Sequence, residues 1–198
     1  MDTLVGGLKR MHHATTINTE KLVMRMITVC QEMLTDRGCT NIQCPSTHVE
    51  VETLVDESQP VIVADTPRTR ILFHTEERIA VKYVRSLLDD NDEFERTIIV
   101  SLEGPTSFAR KEIQNSVDMT IQFFKYKELS VNITKHVCVP KHERIDDTSF
   151  EYETSKCPTL SLADIVSRYY DYKIGDLIRV RRRFGTTDAS DYYRIVTA

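Results

Sequence analysis

The chain has 198 residues, of which 40% are hydrophobic and 28% are charged, and its formal net charge is −4. This composition is typical of a globular protein with one large domain or two small ones. No apolar run approaches the ~20 residues that a transmembrane helix needs, which argues against a membrane partner.

Charge is distributed unevenly along the chain. Residues 1–133 hold 15 Lys and Arg against 20 Asp and Glu, whereas residues 134–198 hold 11 against 10. Because nonspecific binding to DNA draws its free energy from clustered cations, the acidic N-terminal part can contact DNA only locally and weakly. The odd number of cysteines and an N-terminus without a signal-peptide core favour a reducing compartment over secretion.

The first predicted element is an amphipathic helix over Thr19–Arg37. Asn18 or Thr19 can cap its start, and Gly38 can end it. The predicted apolar stripe follows the spacing i, i+4, i+7, i+8 and i+11 and consists of Leu22, Met26, Val29, Cys30 and Met33.

Strands are predicted after this helix. The segment His48–Val55 alternates valine with glutamate and predicts a half-buried strand. Further strands are predicted at Pro60–Ala64 and Arg70–Phe73, with a turn at Thr66-Pro67 between them. A second helix is predicted over Glu76–Leu88.

The middle of the chain alternates strand and helix. Thr97–Leu102 is uniformly apolar, which predicts a central strand. A short helix over Ser107–Val117 and strands near Met119–Phe124 and Leu129–Ile133 should follow. This order predicts a mixed sheet flanked by helices.

The domain boundary is expected between Ile133 and Val139, which gives domains at 1–133 and 134–198. The predicted fold class is α+β, with an N-terminal mixed-sheet domain flanked by helices and a small C-terminal α+β domain.

In the C-terminal domain, the polar stretch Lys141–Lys156 is predicted to be a loop or a short frayed helix, and Ser161–Tyr170 a helix. Leu177–Arg183 and Tyr192–Val196 should pair as antiparallel strands around a loop at Phe184–Asp191.

Metal and nucleophile signatures are weak. His136, Cys138 and His142 lie close together, as do Cys39 and Cys44, but neither spacing is that of a structural zinc site. There is no G-x-S-x-G elbow and no phosphate-binding glycine loop. We therefore predict neither a metal nor a cofactor.

One pattern would suit an enzyme. Asp164, Asp171 and Lys173 follow the D…D-x-K order that can hold a divalent metal for phosphodiester cleavage. The first acid lies at or in a predicted helix and the others in the turn after it, so convergence is not expected. A metal-dependent nuclease is nevertheless a rival hypothesis.

Alternation along Leu177–Arg183 places Arg179, Arg181 and Arg183 on one face of a strand, with Ile178 and Val180 on the other. Such a row suits phosphates or an acidic protein surface, and it equally suits a solvated strand face. Arg182 falls on the apolar side and needs a partner, such as Asp164, Asp176 or a carbonyl group.

Four segments carry a resemblance to a known family, and one of them is the C-terminal tail, Cys157–Val196, which matches the family in outline. Lys21–Cys39 (KLVMRMITVCQEMLTDRGC) is similar to the family's opening helix, and Arg96–Ala109 (RTIIVSLEGPTSFA) to its strand and Thr-Pro-Ser-Ala loop. Glu128–His142 (ELSVNITKHVCVPKH) matches its inter-domain signature and is the most specific motif. Together they resemble the fifth subunit shared by the eukaryotic nuclear DNA-dependent RNA polymerases, whose C-terminal half corresponds to a small subunit of the archaeal polymerase.

The chain departs from the family in several places. The loop at Thr106–Ala109 reads Thr-Ser-Phe-Ala, and Cys157-Pro158 replaces Leu-Pro. Tyr169–Asp171 replaces Tyr-Tyr-Gly, and Phe184–Asp188 replaces Ser-Glu-Thr-Ala-Gly. These changes suggest a divergent paralogue, from a protist or a large DNA virus, and the opening helix favours the cellular source.

The resemblance implies a non-catalytic polymerase subunit in the nucleus, with a jaw domain bordering downstream double-stranded DNA and an assembly domain docking on the largest subunit. The implied assembly residues are Pro140, Lys141, His142, Asp164, Tyr170, Arg179, Arg182, Tyr193 and Arg194. The implied DNA-proximal residues are Thr106, Ser107, Arg110 and Lys111. A free-standing transcription adaptor that binds an acidic partner is the second alternative.

Overall fold

The computed structural model describes residues 16–76, 78–89, 94–116, 119–146, 156–184 and 188–198. The chain divides into two compact units, the first ending at Val131 and the second beginning at Asn132. Each unit contains one four-stranded sheet, and the described residues include six α-helices. The predicted α+β class is therefore confirmed, while the assignment of the units as jaw and assembly domains stays a prediction.

Helix α1 spans Thr16–Asp36. It begins earlier than predicted, so Asn18 and Thr19 lie inside the helix and the prediction that either caps it is wrong. Four members of the predicted stripe are buried, and Leu22 is half-buried. The buried face is wider than the stripe, because it also includes Val23, Ile27 and Leu34.

Gly38 ends α1 as predicted. Its φ of +79° lies in the left-handed region that favours glycine. The N–H groups of Gly38 and Cys39 donate to the carbonyl groups of Thr35 and Leu34, each at 2.9 Å. This pattern satisfies carbonyl groups that the last turn of a helix leaves unpaired.

The predicted strand at His48–Val55 is wrong, because His48–Asp56 forms helix α2. Thr47 caps it by accepting a hydrogen bond from the N–H of Glu50 at 3.3 Å. Val51 and Val55 are buried, four residues apart, whereas Val49 is 58% exposed. The four-residue spacing of these buried valines is compatible with a strand and with a helix. Thr47 followed three residues later by Glu50 is typical of a helix N-terminus and favours the helix.

The sheet of the first unit has the order β1-β2-β3-β4. Its strands are β1 (Ile62–Ala64), β2 (Thr69–Phe73), β3 (Arg96–Ser101) and β4 (Thr120–Lys125). β1 is antiparallel to β2, and β2, β3 and β4 are parallel. The prediction that Thr97–Leu102 forms a central strand is confirmed.

Helices α3 (Val81–Asp89) and α4 (Ser107–Asn115) pack on one face of this sheet. α3 begins later than predicted, because Ile79 first forms a bridge with Pro105. The buried cluster on this face contains Leu72, Ile79, Val84, Leu87, Ile99, Ala109, Met119 and Ile121.

The predicted strand at Leu129–Ile133 is wrong. The chain forms helix α5 (Tyr126–Leu129) and then a 3-10 turn at Ile133–Lys135. Glu128 Oε2 accepts from the N–H of Lys125 at 2.8 Å, and Asn132 Oδ1 accepts from the N–H of Thr134 at 3.0 Å. These side chains pair with backbone N–H groups and so favour turns over a strand.

The second unit has a sheet of order β5-β7-β8-β6. Its elements are β5 (Lys141–Arg144), β6 (Thr159–Ser161), α6 (Ile165–Tyr170), β7 (Leu177–Phe184) and β8 (Asp188–Thr197). Its core contains Leu160, Tyr172, Ile178, Val180 and Val196.

Three predictions for this unit need correction. The stretch predicted as a loop at Lys141–Lys156 begins with β5, and its residues 147–155 lie outside the described part. The helix predicted from Ser161 begins only at Ile165, because Thr159–Ser161 joins the sheet. The loop predicted at Phe184–Asp191 is shorter, since β8 already begins at Asp188.

Candidate assembly and nucleic-acid interfaces

His142 lies on β5 opposite Val180 of β7. Its Nδ1 is 2.8 Å from the carbonyl oxygen of Pro140. Burial lowers the pKa of His142; the Pro140 hydrogen bond and Asp164 oppose this shift, and Arg194 and Arg182 reinforce it. Four predicted assembly residues, His142, Asp164, Arg182 and Arg194, are therefore electrostatically coupled.

Asp164 caps α6, its Oδ1 accepting from the N–H of Val166 at 2.8 Å. Asp171 lies at the other end of this helix, and its carboxylate pairs with Lys173 Nζ at 2.9 Å. The six residues of α6 lie between the two acids, and the helical rise per residue places the acids ~10 Å apart, too far to share one ion. The geometry therefore does not form the nuclease site that Asp164, Asp171 and Lys173 would require.

Tyr170 contributes to the packing of the second unit. Its ring is stacked on that of Tyr172 at 5.4 Å and lies edge-on to that of Tyr169 at 5.1 Å. The hydroxyl of Tyr169, which is 2% exposed, accepts from Asn132 Nδ2 at 2.9 Å. The aromatic run thus fixes α6 to the start of the unit.

Glu143 is the centre of a second charged group. Its Oε1 is 2.6 Å from Lys141 Nζ, and its Oε2 accepts from Arg179 Nε at 3.2 Å as well as from Arg179 Nη2. The hydrogen bonds from Lys141 and Arg179 lower the pKa of Glu143 to about 2. Both predicted assembly cations are therefore already paired within the unit.

Arg181 is also paired. Its Nε and Nη2 donate to the two carboxylate oxygens of Asp191 at 3.0 and 3.3 Å. This hydrogen bonding lowers the pKa of Asp191. Two members of the predicted arginine row, Arg179 and Arg181, thus form ion pairs with acids of their own sheet. The side chain of Arg183, the third member, lies outside the described part of the chain.

Arg182 makes a different contact. Its guanidinium lies over the ring of Tyr192, 5.3 Å from the centroid, and the residue is exposed. The acids predicted as its partners are engaged elsewhere: Asp176 accepts from the N–H of Lys173, and Asp164 caps α6. An arginine over an aromatic face is stabilised while keeping its charge near solvent.

Strand alternation and register separate the predicted residues onto two faces of the sheet. His142, Arg182 and Arg194 share the face of Ile178 and Val180. Arg194 Nη1 also donates to the carbonyl oxygen of Thr159 at 2.8 Å.

The opposite face carries Lys141, Arg179 and Tyr193, with Glu143 and Asp191. Two of the implied assembly residues, Arg179 and Arg182, therefore lie on opposite faces of the sheet.

The sequence did not indicate which side chains contact the arginines of β7; these are Glu143, Asp191 and Tyr192. Glu143 and Asp191 fell in segments predicted to be loops, so their register against Arg179 and Arg181 could not be deduced. The alternation Lys-His-Glu-Arg at residues 141–144 was the available signal for β5.

In the first unit, the predicted DNA-proximal residues lie together at the start of α4. Thr106 caps the helix by accepting from the N–H of Ala109 at 3.3 Å. Ser107, Arg110 and Lys111 are exposed, and the guanidinium of Arg110 lies 5.8 Å from the ring centroid of Phe123.

A shallow pocket of about 220 Å³ adjoins this helix start. Its lining includes three cations, Arg78, Arg110 and Lys125, and one acid, Glu103. Lys125 Nζ is 2.9 Å from Glu103 and lowers the pKa of that carboxyl group. The surface is therefore locally basic within an acidic half of the chain.

The part of the chain that the structure describes includes no group of three or more His, Cys, Asp or Glu side chains that could hold a metal ion. None of the helices described is both long and apolar enough to span a membrane.

Residues 131–196 match the sequence profile of the RNA polymerase Rpb5 C-terminal domain. The matched range is almost the same as the second compact unit. The second unit is therefore similar to the C-terminal domain of the fifth subunit shared by the nuclear RNA polymerases, and the resemblance seen in the motifs is confirmed.

Individual relatives are polymerase subunits. DNA-directed RNA polymerase V subunit 5A of Arabidopsis thaliana is 27% identical over 141 residues, covering 66% of this chain and 63% of that protein. The subunit rpabc1 of RNA polymerases I, II and III of Dictyostelium discoideum is 28% identical over 137 residues, covering 63% and 70%. RPABC1 of Caenorhabditis briggsae is 26% identical over 136 residues, covering 64% of each chain.

These alignments are longer than the second unit, so they include part of the first. The match to the Arabidopsis relative spans just under two thirds of that protein's length.

Proposed function

We propose that this chain is a non-catalytic structural subunit of a DNA-dependent RNA polymerase in the nucleus. Its second unit would be the assembly domain that docks on the largest subunit, and its first unit the jaw that borders downstream DNA. The observation that carries the proposal is the match of residues 131–196 to a polymerase subunit domain, supported by relatives that are polymerase subunits.

The two faces of the second sheet suggest different roles. On the face of Glu143, Arg179 and Arg181 are bound to acids of the same unit, which favours a stabilising role. On the face of His142, Arg182 is held by an aromatic ring and keeps its charge available. We therefore assign docking on an acidic surface of the largest subunit to the end of the His142 face at Arg182, which lies beyond the buried Ile178 and Val180 and is exposed.

The first unit, as the jaw, would contact downstream DNA through a few exposed cations. Arg110 and Lys111 are exposed beside the pocket that Arg78 and Lys125 also line. Contacts from such cations to phosphates fix orientation on DNA without reading its sequence. Because residues 1–133 carry a net negative charge, the contact should be weak and nonspecific.

The test of assembly is purification of a tagged full-length chain from the cells that express it. We expect the largest polymerase subunit to co-purify and the chain to elute from gel filtration with a very large assembly. Recovery of the chain in a small complex without the largest subunit would contradict the proposal and favour the free-standing adaptor.

A charge reversal tests the docking face. Arg182→Glu places an acid on the His142 face, so we expect the largest subunit to be lost from the purification. Lys82→Glu is the matched control, because Lys82 is an exposed cation on α3 of the other unit. If Arg182→Glu folds, as judged by circular dichroism, and still co-purifies like the control, the docking assignment is wrong.

A further inference from the structure

One histidine of the first unit is buried at the carboxyl end of a strand. His74 directly follows β2, and its side chain is 8% exposed. Its N–H donates to the carbonyl oxygen of Val100 at 2.7 Å, and its own carbonyl oxygen accepts from the hydroxyl of Tyr126 at 2.6 Å. The backbone that carries the imidazole is therefore fixed to the sheet and to α5.

The chain that leaves β2 folds around this imidazole. The described residues between His74 and α3 form neither a helix nor a strand. The ring is hydrogen-bonded to the backbone of Arg78, and it lies against the ring of Tyr83 on α3 with 4.4 Å between the centroids. The carbonyl oxygen of Ile79 accepts from the N–H of Thr106 at 3.1 Å. The imidazole thus holds together β2, the β2–α3 connection and α3.

One nitrogen of this ring is buried without a hydrogen bond. Among the described residues, Nε2 of His74 has no hydrogen-bond partner. The acid beside it is Glu76, whose carboxylate oxygen lies 3.7 Å from Nε2 and whose side chain is 72% exposed. A protonated ring would therefore be a buried cation, offset only in part by a carboxylate that is screened by solvent. Such a buried charge is costly, so the packed structure favours the neutral imidazole.

The described groups around the ring do not supply a compensating negative charge. Burial lowers the pKa of His74, whereas Glu76 and the backbone hydrogen bond oppose this shift. The hydroxyls of Tyr83 and Tyr126 stay neutral, because burial raises the pKa of each. Arg70 interacts with Tyr83 and adds positive charge to this region. Protonation of His74 and the packing around it are therefore opposed.

We propose that His74 is a proton-sensitive latch of the first unit: its neutral imidazole keeps the β2–α3 connection and α3 packed on the sheet, and protonation in mild acid releases them. A solvated histidine has a pKa of about 6.5, so the released form takes up the proton more readily than the packed form. The packed form therefore loses stability as the pH falls below about 6.5. The latch lies within the first unit and does not depend on assembly with a polymerase.

The experiment follows amide hydrogen exchange of the purified full-length chain by mass spectrometry at about pH 7 and about pH 5, with labelling times scaled for the intrinsic pH dependence of exchange. At about pH 5 the protonated form of a solvated imidazole exceeds the neutral form roughly thirtyfold, which limits the acceleration that the latch can give. We expect α3 to exchange about threefold to thirtyfold faster at the lower pH. It should exchange faster than β3 at both, because it opens without the sheet.

Three variants test whether His74 causes the acceleration. His74→Gln removes the titrating ring and should abolish the acceleration. Glu76→Gln removes the carboxylate that favours the protonated ring and should enlarge it; because Glu76 is exposed, this variant should fold even if His74→Gln does not. His48→Gln is the matched control, since His48 is a half-buried histidine of the same unit with Nε2 3.6 Å from Glu20, and it should leave the acceleration unchanged.

Four results would overturn the latch. They are equal exchange of α3 at both pH values in the wild type, an acceleration that persists in His74→Gln, an acceleration that is smaller in Glu76→Gln than in the wild type, and exchange of α3 at the rate of β3. The last result would mean that the helix opens only when the whole unit unfolds. Co-purification with a polymerase is a separate measurement, so the latch and the proposed function can fail independently.

Discussion

Replacing Glu143 by glutamine tests the ion-pair network on β5 and β7. Glutamine keeps the size and the carbonyl acceptor of the side chain but removes the charge that binds Lys141 and Arg179. These cations would then lie on the same face with Arg181 beside them. Of the acids described on that face of β5, β7 and β8, Asp191 would remain to offset their charge.

The expected loss of stability in Glu143→Gln follows from the lowered pKa of Glu143. Lys141 and Arg179 lower the pKa of Glu143 from 4.5 to about 2. A difference of one in pKa corresponds to about 1.4 kcal/mol, so the undiminished effect would be roughly 3.4 kcal/mol. The side chain of Glu143 is 27% exposed, and those of Arg179 and Lys141 are 35% and 69% exposed. Solvent screening should therefore reduce the loss to about 1–1.5 kcal/mol.

The effect should depend on pH. Because the folded-state pKa lies below the unfolded one, the carboxylate stabilises the fold above about 4.5, and this contribution is lost as the pH falls towards about 2. The difference between wild type and Glu143→Gln should thus be full at pH 7 and shrink steadily below about pH 4.5.

Urea denaturation followed by tyrosine fluorescence measures this difference. Six of the eight tyrosines lie in residues 132–198, so the signal reports mainly on the second unit. Glu95→Gln, at an exposed carboxylate of the first unit, should leave the transition unchanged. A Glu143→Gln protein as stable as the wild type at pH 7, or a difference that persists unchanged at low pH, would refute the reasoning.

Two further variants test the local structure. Thr47→Ala removes the cap of α2 and should lower the free energy of unfolding by about 1 kcal/mol, as measured by urea denaturation followed by circular dichroism; no loss would argue against a helix at His48–Asp56. Tyr169→Phe removes the hydroxyl that accepts a hydrogen bond from Asn132. Because both residues are buried, it should lower the free energy of unfolding by about 1–2 kcal/mol, as measured by urea denaturation followed by tyrosine fluorescence. An unchanged free energy of unfolding would mean that this hydrogen bond does not stabilise the second unit.

Elements with one strong signal could be predicted from the sequence. The apolar stripe and Gly38 indicated the face and the end of α1, and the uniformly apolar run of β3 predicted a central strand. The spacing of Val51 and Val55 fits the periodicity of a strand as well as that of a helix. The strand prediction was wrong there because the hydrogen bond that caps the segment at Thr47 stabilises a helix.

The site was less predictable because it depends on register. β5 and the start of β8 lie in polar sequence, and their pairing with β7 comes from the sheet as a whole. Without that register, neither the pairing of Glu143 with Arg179 nor the contact of Arg182 with Tyr192 could be deduced. The resemblance supplied the residues, but not which of them share a face.

The opposite orientation of Arg179 and Arg182 has a consequence for genetics. Side chains that point away from each other and share no partner should behave independently, so the effects of substituting both should simply add. The residues on one face of β7 can then change during evolution while those on the other face are conserved. Comparing the substitution rates of the two faces among related proteins would indicate which face is under selection.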